Sequence, residues 1–327
     1  MEKRIYNVDL ENITEQGLKE LQQQYVQDPM SLLKVDEVDA DHLTQRFTGF
    51  LKDYLSLAGI EGYVLGLSGG LDSSLVLDLS VEAIGSENVL GLLIPSEKTS
   101  QDSIDFGKMV AKQYGVSYAV VPQELFELAI LADNLIEDSI DKQLSEQGSW
   151  QRTGYSDNSM RIGNDHARQR MKILRRAAAK YGLLVGGTTN DTEQQLAYFT
   201  TAGDGRGGID IESIVSLPKT SEFQYAKHRN LPSEVIDRIP SAELMEGHTD
   251  EGELTKLIGY DVNYMTIDLM LTGRKIGLTP VQIESANNSP LITEESVNGV
   301  FAFVDRVSFK LKPEPSANTI YFSGGDT

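Results

Sequence analysis

At 327 residues, 40% of them hydrophobic, the chain can bury a sizeable core in one large or two small domains. Its formal charge of −20 argues against a nucleic-acid surface, and no apolar run approaches the length of a membrane span. Zero cysteines exclude disulfides and a thiol nucleophile, leaving the redox compartment open. No apolar segment follows Met1-Glu2-Lys3-Arg4, so a cytoplasmic location is expected. The acidity fits a solubility role or a high-salt adaptation equally.

Residues 1–38 read as a peripheral N-terminal extension with a short amphipathic helix over 14–21. Over residues 39–57, Leu43, Phe47, Phe50, Leu51, Tyr54 and Leu55 recur at helical spacing, capped by Asp39 or Asp41. That stripe is core or subunit contact. Tyr63-Val64-Leu65 is an apolar strand. Next come Gly66-Leu67-Ser68-Gly69-Gly70-Leu71-Asp72-Ser73-Ser74 and a helix that stops at Gly85. Strand, glycine turn and helix together aim free backbone N–H groups at an anion. Gly69 and Gly70 let the chain approach a phosphate, and Ser68, Ser73 and Ser74 add hydroxyls. Asp72 would repel that phosphate unless a Mg²⁺ bridged them. No Gly-Lys-Ser/Thr follows, so this is not a Walker A loop. It resembles the pyrophosphate loop of the N-type ATP pyrophosphatases; the alternative is a plain glycine turn.

Residues 89–94 read as a second buried strand, a helix opens at 99–103 and runs to Tyr114-Gly115, and 117–122 form a third strand. Alternating strands and helices imply an α/β fold, a parallel sheet with helices on both faces, whose ligands sit beyond the carboxyl ends of the strands. Residues 133–164 read as a helix followed by a loop around Trp150, either a lid or an ordinary surface insertion. A helix from Asn164 carries Ala167, Met171, Leu174, Ala178 and Tyr181 on one face. Arg168, Lys172 and Arg175 share another face, either a cradle for a phosphate-bearing substrate or a solvated face balanced by carboxylates. Residues 183–187 are a fourth strand, followed by Thr188-Thr189-Asn190-Asp191-Thr192-Glu193. Glu193 is either a partner of Asp72 on Mg²⁺ or a first-turn acid favoured by the helix dipole.

Taken as a set, the motifs resemble ammonia-dependent NAD synthetase. They are Ser68-Gly69-Gly70-Leu71-Asp72-Ser73, Ala167-Arg168-Gln169-Arg170-Met171, Gly187-Thr188 through Glu193, Tyr198-Phe199-Thr200 with Gly203-Asp204-Gly205, Lys219, Pro240-Ser241-Ala242-Glu243-Leu244 and Thr249-Asp250-Glu251. The resemblance implies a fold of the adenine nucleotide alpha hydrolase type, Rossmann-like, with the enzymatic domain at 39–290 and a C-terminal helix and tail at 291–327. It implies that Ser68, Gly69, Gly70 and Ser73 hold the pyrophosphate of ATP, with Asp72 and Glu193 on Mg²⁺. Thr188 would contact the adenylate and Lys219 the phosphates. Arg168, Asp204 and Lys310 would bind the acceptor, nicotinic acid adenine dinucleotide. Ammonia must arrive unprotonated, and Asp204 is the carboxylate expected to take a proton from ammonium. Asp72, Glu193, Lys219 and Asp204 are thus the expected catalytic set. A homodimer with the acceptor site at the subunit interface is expected. Free ammonia or a separate glutaminase would supply nitrogen, since no cysteine nucleophile is present.

The chain departs from the family at four places. Thr201 stands where a lysine is usual, and Arg175 where a tyrosine is common. The C-terminal His-Lys-Arg is reduced to Phe309-Lys310-Leu311, and an extra residue lies in Arg206-Gly207-Gly208. These changes concern the acceptor more than the nucleotide. Two alternatives therefore stand: a related adenylating amide ligase acting on another acid, and an inactive nucleotide-binding paralogue. After Gly273 a turn at 277–280 leads into a short helix, 296–309 has an apolar spacing suited to packing on the sheet, and 313–327 reads as a tail.

Overall fold

The computed structural model describes residues 3–148, 158–238 and 249–311. The Trp150 loop, the 240–244 motif and the tail lie outside them. In order the elements are α1 (Glu15–Gln27), α2 (Glu37–Ala58), β1 (Gly62–Gly66), α3 (Leu71–Ile84), β2 (Val89–Leu93), α4 (Gln101–Gln113), β3 (Ser117–Val120), α5 (Gln123–Gln147) and α6 (Asn158–Tyr181). There follow β4 (Leu183–Gly187), α7 (Asp191–Leu196), β5 (Ile211–Glu212), α8 (Lys219–His228), α9 (Ser233–Ile236), α10 (Asp250–Ile258), α11 (Tyr264–Lys275), α12 (Pro280–Ala286) and α13 (Glu294–Val307).

The strands run parallel in the order β3-β2-β1-β4-β5, with Leu65 opposite both Gly91 of β2 and Gly186 of β4. Sequence order reverses between β1 and β4, which is where such sheets open a crevice beyond their carboxyl ends. The pleat splits the core in two. Tyr63 and Leu65 face a large cluster with α2, α3 and α4, while Val64 and Val185 face a smaller one with Phe126 of α5 and Met171, Leu174 and Ala178 of α6. The sheet is therefore covered on both sides, as its nearly unbroken apolar strands require.

Four expectations need correction. Residues 1–38 are not peripheral. Leu21, Tyr25, Leu32 and Leu33 are fully buried in the larger core cluster, and the Tyr25 hydroxyl donates to the Leu269 carbonyl at 2.8 Å. The cap of α2 is Asp36, which accepts the Asp39 N–H in a reciprocal capping box. Helix α5 begins ten residues before Asp133 and α6 six residues before Asn164; Tyr181, at the end of α6, is exposed rather than on its apolar face. Finally, α13 buries Val297, Val300 and Phe303 chiefly against the other C-terminal helices.

Candidate active site

A cavity of about 310 Å³ opens at the switch point, lined by the turns after β1, β2 and β4, by α6 and by the start of α8. The β1 turn is shaped by its own polar groups. Ser68 Oγ accepts the Gly70 N–H at 3.1 Å and lies 3.0 Å from Ser73 Oγ, while Ser73 and Ser74 donate back to the Gly70 carbonyl at 3.1 and 2.8 Å. Gly69 has φ +77°, and a Cβ there would run into the Ser103 carbonyl of α4. Both facts demand glycine. Gly70 caps α3 with no side chain on its first N–H groups, leaving them available to an anion. Ser68, Gly70 and Asp72 line the cavity; Gly69 and Ser73 build the turn behind them.

On the β4 side, Asn190 caps α7, and the Glu193 side chain closes the box on the Asn190 N–H at 3.2 Å. Glu193 is thus a first-turn acid and also a lining residue, as is Thr188. Asn190 Nδ2 donates to Asp72 at 2.9 Å and links the two turns. Lys219, the first residue of α8, is 1% exposed and places its ammonium 2.7 Å from both Asp72 oxygens and 3.1 Å from Glu222. Glu222 is fully buried with no hydrogen bond to either carboxylate oxygen among the described residues.

The electrostatics follow from this crowding. Burial opposes ionisation of Asp72, but Lys219 and Asn190 outweigh it and hold the carboxyl below its ordinary value. Burial and then the Asp72 charge push Glu193 well up, and the same two causes raise Glu222. Burial works against the Lys219 ammonium, yet Asp72, Glu222 and Glu193 raise its pKa. One ammonium therefore faces three carboxylates. A divalent cation between Asp72 and Glu193 would remove their repulsion. No group of three or more acidic, His or Cys side chains among the described residues could enclose a metal alone, so phosphate oxygens and water would have to complete the shell. The donor set fits a nucleotide-bound Mg²⁺.

Asp204 is exposed at the rim and accepts the Thr200 N–H at 2.8 Å. Two expected acceptor residues lie off the cavity. Arg168 is half exposed and pairs with Asp165 at 3.3 Å. Lys310 donates to the Ala197 and Phe199 carbonyls at 3.0 Å, with Phe199 between it and the cavity. The companions of Arg168 on the α6 stripe also face carboxylates of their own chain, Lys172 with Asp133 at 4.0 Å and Arg175 with Asp210 at 2.5 Å.

Two lining cations escaped the reading of the sequence. Arg170 donates to the Ile94 carbonyl at 3.1 Å, and Arg238 donates to the Gly69 carbonyl at 3.4 Å and to Ser103. Arg170 was legible in principle. It borders the apolar face that Ala167, Met171 and Leu174 form on α6, where a charged side chain calls for a partner.

A parallel sheet with a glycine turn, free helix N–H groups, paired carboxylates and a buried lysine at its switch point defines a nucleotide-binding α/β enzyme. Comparison with known proteins narrows the class. The profile described as NAD synthase matches residues 43–314. The NH(3)-dependent NAD(+) synthetase of Methanocaldococcus jannaschii is 36% identical over 277 residues, 84% of this chain and 96% of that one. Among solved structures, an NMN synthetase from Francisella tularensis aligns at TM-score 0.65 and 27% identity, over 86% of this chain and 99% of that one. An NH3-dependent NAD synthetase from Campylobacter jejuni shares the fold at TM-score 0.62 and 23% identity, with the same coverage. The chain belongs to the NAD synthase family. It is a ligase of NAD biosynthesis.

Proposed function

We propose that the chain amidates nicotinic acid adenine dinucleotide to NAD with ammonia, splitting ATP into AMP and pyrophosphate through an acyl adenylate. The observation that carries this reading is the convergence of the β1 turn, Asp72, Glu193, Thr188 and Lys219 on one cavity. A carboxylate is a poor acylating group because oxide would have to leave. Attack of the acceptor carboxylate on the α-phosphorus forms a C–O–P bond and breaks the bond to pyrophosphate. Ammonia then forms the C–N bond, AMP leaves, and the nitrogen gives up a proton.

Ser68, Gly70 and the first N–H groups of α3 would bind the departing pyrophosphate, as in other phosphoryl transfers built on positioning and charge. Asp72 and Glu193 would hold Mg²⁺, which when bound neutralises phosphate charge. Lys219, Arg170 and Arg238 are the cationic lining that an anionic substrate needs inside so acidic a chain. Thr188 and the apolar wall of Leu92, Ile94 and Met171 suit the adenosine. Asp204, exposed at the cavity rim, is placed to take the proton from ammonium.

Arg168 and Lys310 act on the acceptor in this reading only once a second copy of the chain, in a homodimer, completes that part of the site. Nitrogen comes from free ammonia or a separate glutaminase, and the chemistry belongs to the cytoplasm. Among the described residues no helix is long and apolar enough to cross a membrane.

A second reading has its own support. The α6 cations that would meet the far half of a dinucleotide already face carboxylates of their own chain, and the Francisella relative is titled an NMN synthetase. The acid that NMN synthesis would amidate, nicotinic acid mononucleotide, lacks that far half. The test is AMP and pyrophosphate formation from Mg-ATP and ammonium with each acid in turn. A kcat/KM at least about tenfold higher for the dinucleotide, some 1.4 kcal/mol, upholds the first reading. The reverse ratio selects the second, and turnover of neither acid removes both.

A further inference from the structure

Glu193 and Lys219 enter the cavity from the first turns of two different helices, α7 and α8, and something must fix the spacing of those turns. Asp268, in the middle of α11 and 2% exposed, touches both. One of its oxygens accepts the Thr192 hydroxyl, and the other accepts the Thr220 N–H at 2.7 Å. Thr192 Oγ1 in turn accepts the Lys219 N–H at 2.9 Å. The residue before Glu193, the backbone of Lys219 and the residue after it are therefore tied to a single carboxylate. The Asp191 N–H adds a direct bond to the Leu217 carbonyl at 3.0 Å.

A structural role alone explains this poorly. Helix α11 already grips α7 through Lys275, whose ammonium sits 2.6 and 2.7 Å from the Asp191 oxygens. What Asp268 adds is the reach to α8. A buried carboxylate is a costly way to join two helices that apolar side chains could pack. The charged group that acts on it is Asp191 of α7, itself held by Lys275, and its own oxygens pair with the neutral donors Thr192 and Thr220.

We propose that Asp268 is a positioning residue which, through Thr192 and Thr220, sets the distance between Glu193 and Lys219 that the adenylation step requires. This rests on the functional reading above, in which those two side chains act on the nucleotide. Because the adenylation transition state demands that spacing more strictly than ATP binding does, a shift falls mainly on kcat. A displacement of about 1 Å at a reacting centre costs on the order of 100-fold.

The test is steady-state pyrophosphate release with Thr192→Val, Thr192→Ser and Asp268→Asn, measured beside Glu193→Gln and Lys219→Met. Thr192→Val keeps the shape and deletes the hydroxyl; it should lower kcat by about 30- to 100-fold while KM for ATP moves less than about threefold. Thr192→Ser restores the hydroxyl and should recover most of the loss. The pair Asp268→Asn with Thr192→Val should be no slower than Asp268→Asn alone, because both break the same chain of bonds. Should Asp268→Asn not fold, the contrast between Thr192→Val and Thr192→Ser decides. A Thr192→Val enzyme with wild-type kcat, or a double variant whose losses multiply, overturns the proposal while Glu193→Gln and Lys219→Met remain inactive. If those two variants turn over normally, the functional reading itself falls.

Discussion

Lys219 is the residue on which the charge balance of the cavity turns. Its ammonium is buried between Asp72 and Glu222 and is pulled toward Glu193 as well, so removing it leaves several carboxylates in low dielectric without a counter-charge. Removing one partner of a buried pair costs about 3–5 kcal/mol. Lys219→Met should lose stability of that order in urea melts. Asp72→Asn should lose well under half as much, because Lys219 keeps Glu222, yet it should cut pyrophosphate release by about 100-fold or more. Equal losses of stability would show that Glu222 does not share the ammonium. That Asp72 and Glu193 line one cavity was legible from their strand-end positions, and Lys219 only from the family resemblance. Arg238 was not, because it follows a short helix with no periodicity and reaches the β1 turn from 169 residues away in sequence.

Elements were legible where burial imposed a pattern and obscure where it did not. Strands β1, β2 and β4 are short apolar runs ending in polar turns, which is how strands covered on both faces must read. Helix α5 buries only Phe126 of its 25 residues, so no core-facing stripe marked its start. Besides Leu21 and Tyr25 of α1, the N-terminal extension hides further apolar residues in irregular chain. Ile5, Tyr6, Leu32 and Leu33 belong to short 3-10 turns or follow them, where neither helical nor strand spacing applies. A further signal lies in α11, where burial pushes Asp268 up to about 6 against the donors Thr192 and Thr220. Since the folded pKa exceeds the unfolded one, folding is favoured most below about pH 4, and that advantage is lost as pH rises through 6. The difference of roughly two units corresponds to about 3 kcal/mol. Asp268→Asn lacks this term, so its melting temperature relative to wild type should climb as pH goes from 4 to 7. A constant offset would mean that Asp268 titrates normally.

On the scale of the whole molecule, the most unusual surface is α5. Leu125, Leu128, Leu131, Leu135, Ile136 and Ile140 are all at least half exposed along one helix, which is far more apolar surface than scattered single residues would give. At spacings of three, three, four, one and four, they form a stripe suited to another helix. The neighbouring α6 carries Arg168 and Lys172 beside this helix, near Asp165 and Asp133, so a partner laid along α5 would border the cations expected to meet the acceptor. That links assembly to substrate binding, and the link can be tested. Leu128→Asp together with Leu135→Asp puts two charges into the stripe without touching the buried Phe126, and should convert a dimer to a monomer by light scattering at micromolar concentration. If the acceptor site is shared between copies, KM for the acid should rise at least about tenfold in that monomer while KM for ATP stays near wild type, because Ser68, Asp72, Glu193 and Lys219, proposed to hold ATP, already converge on one cavity within the chain. A monomeric wild type would remove the interface. A monomeric variant with an unchanged KM for the acid would leave the interface standing and confine the whole site to one subunit.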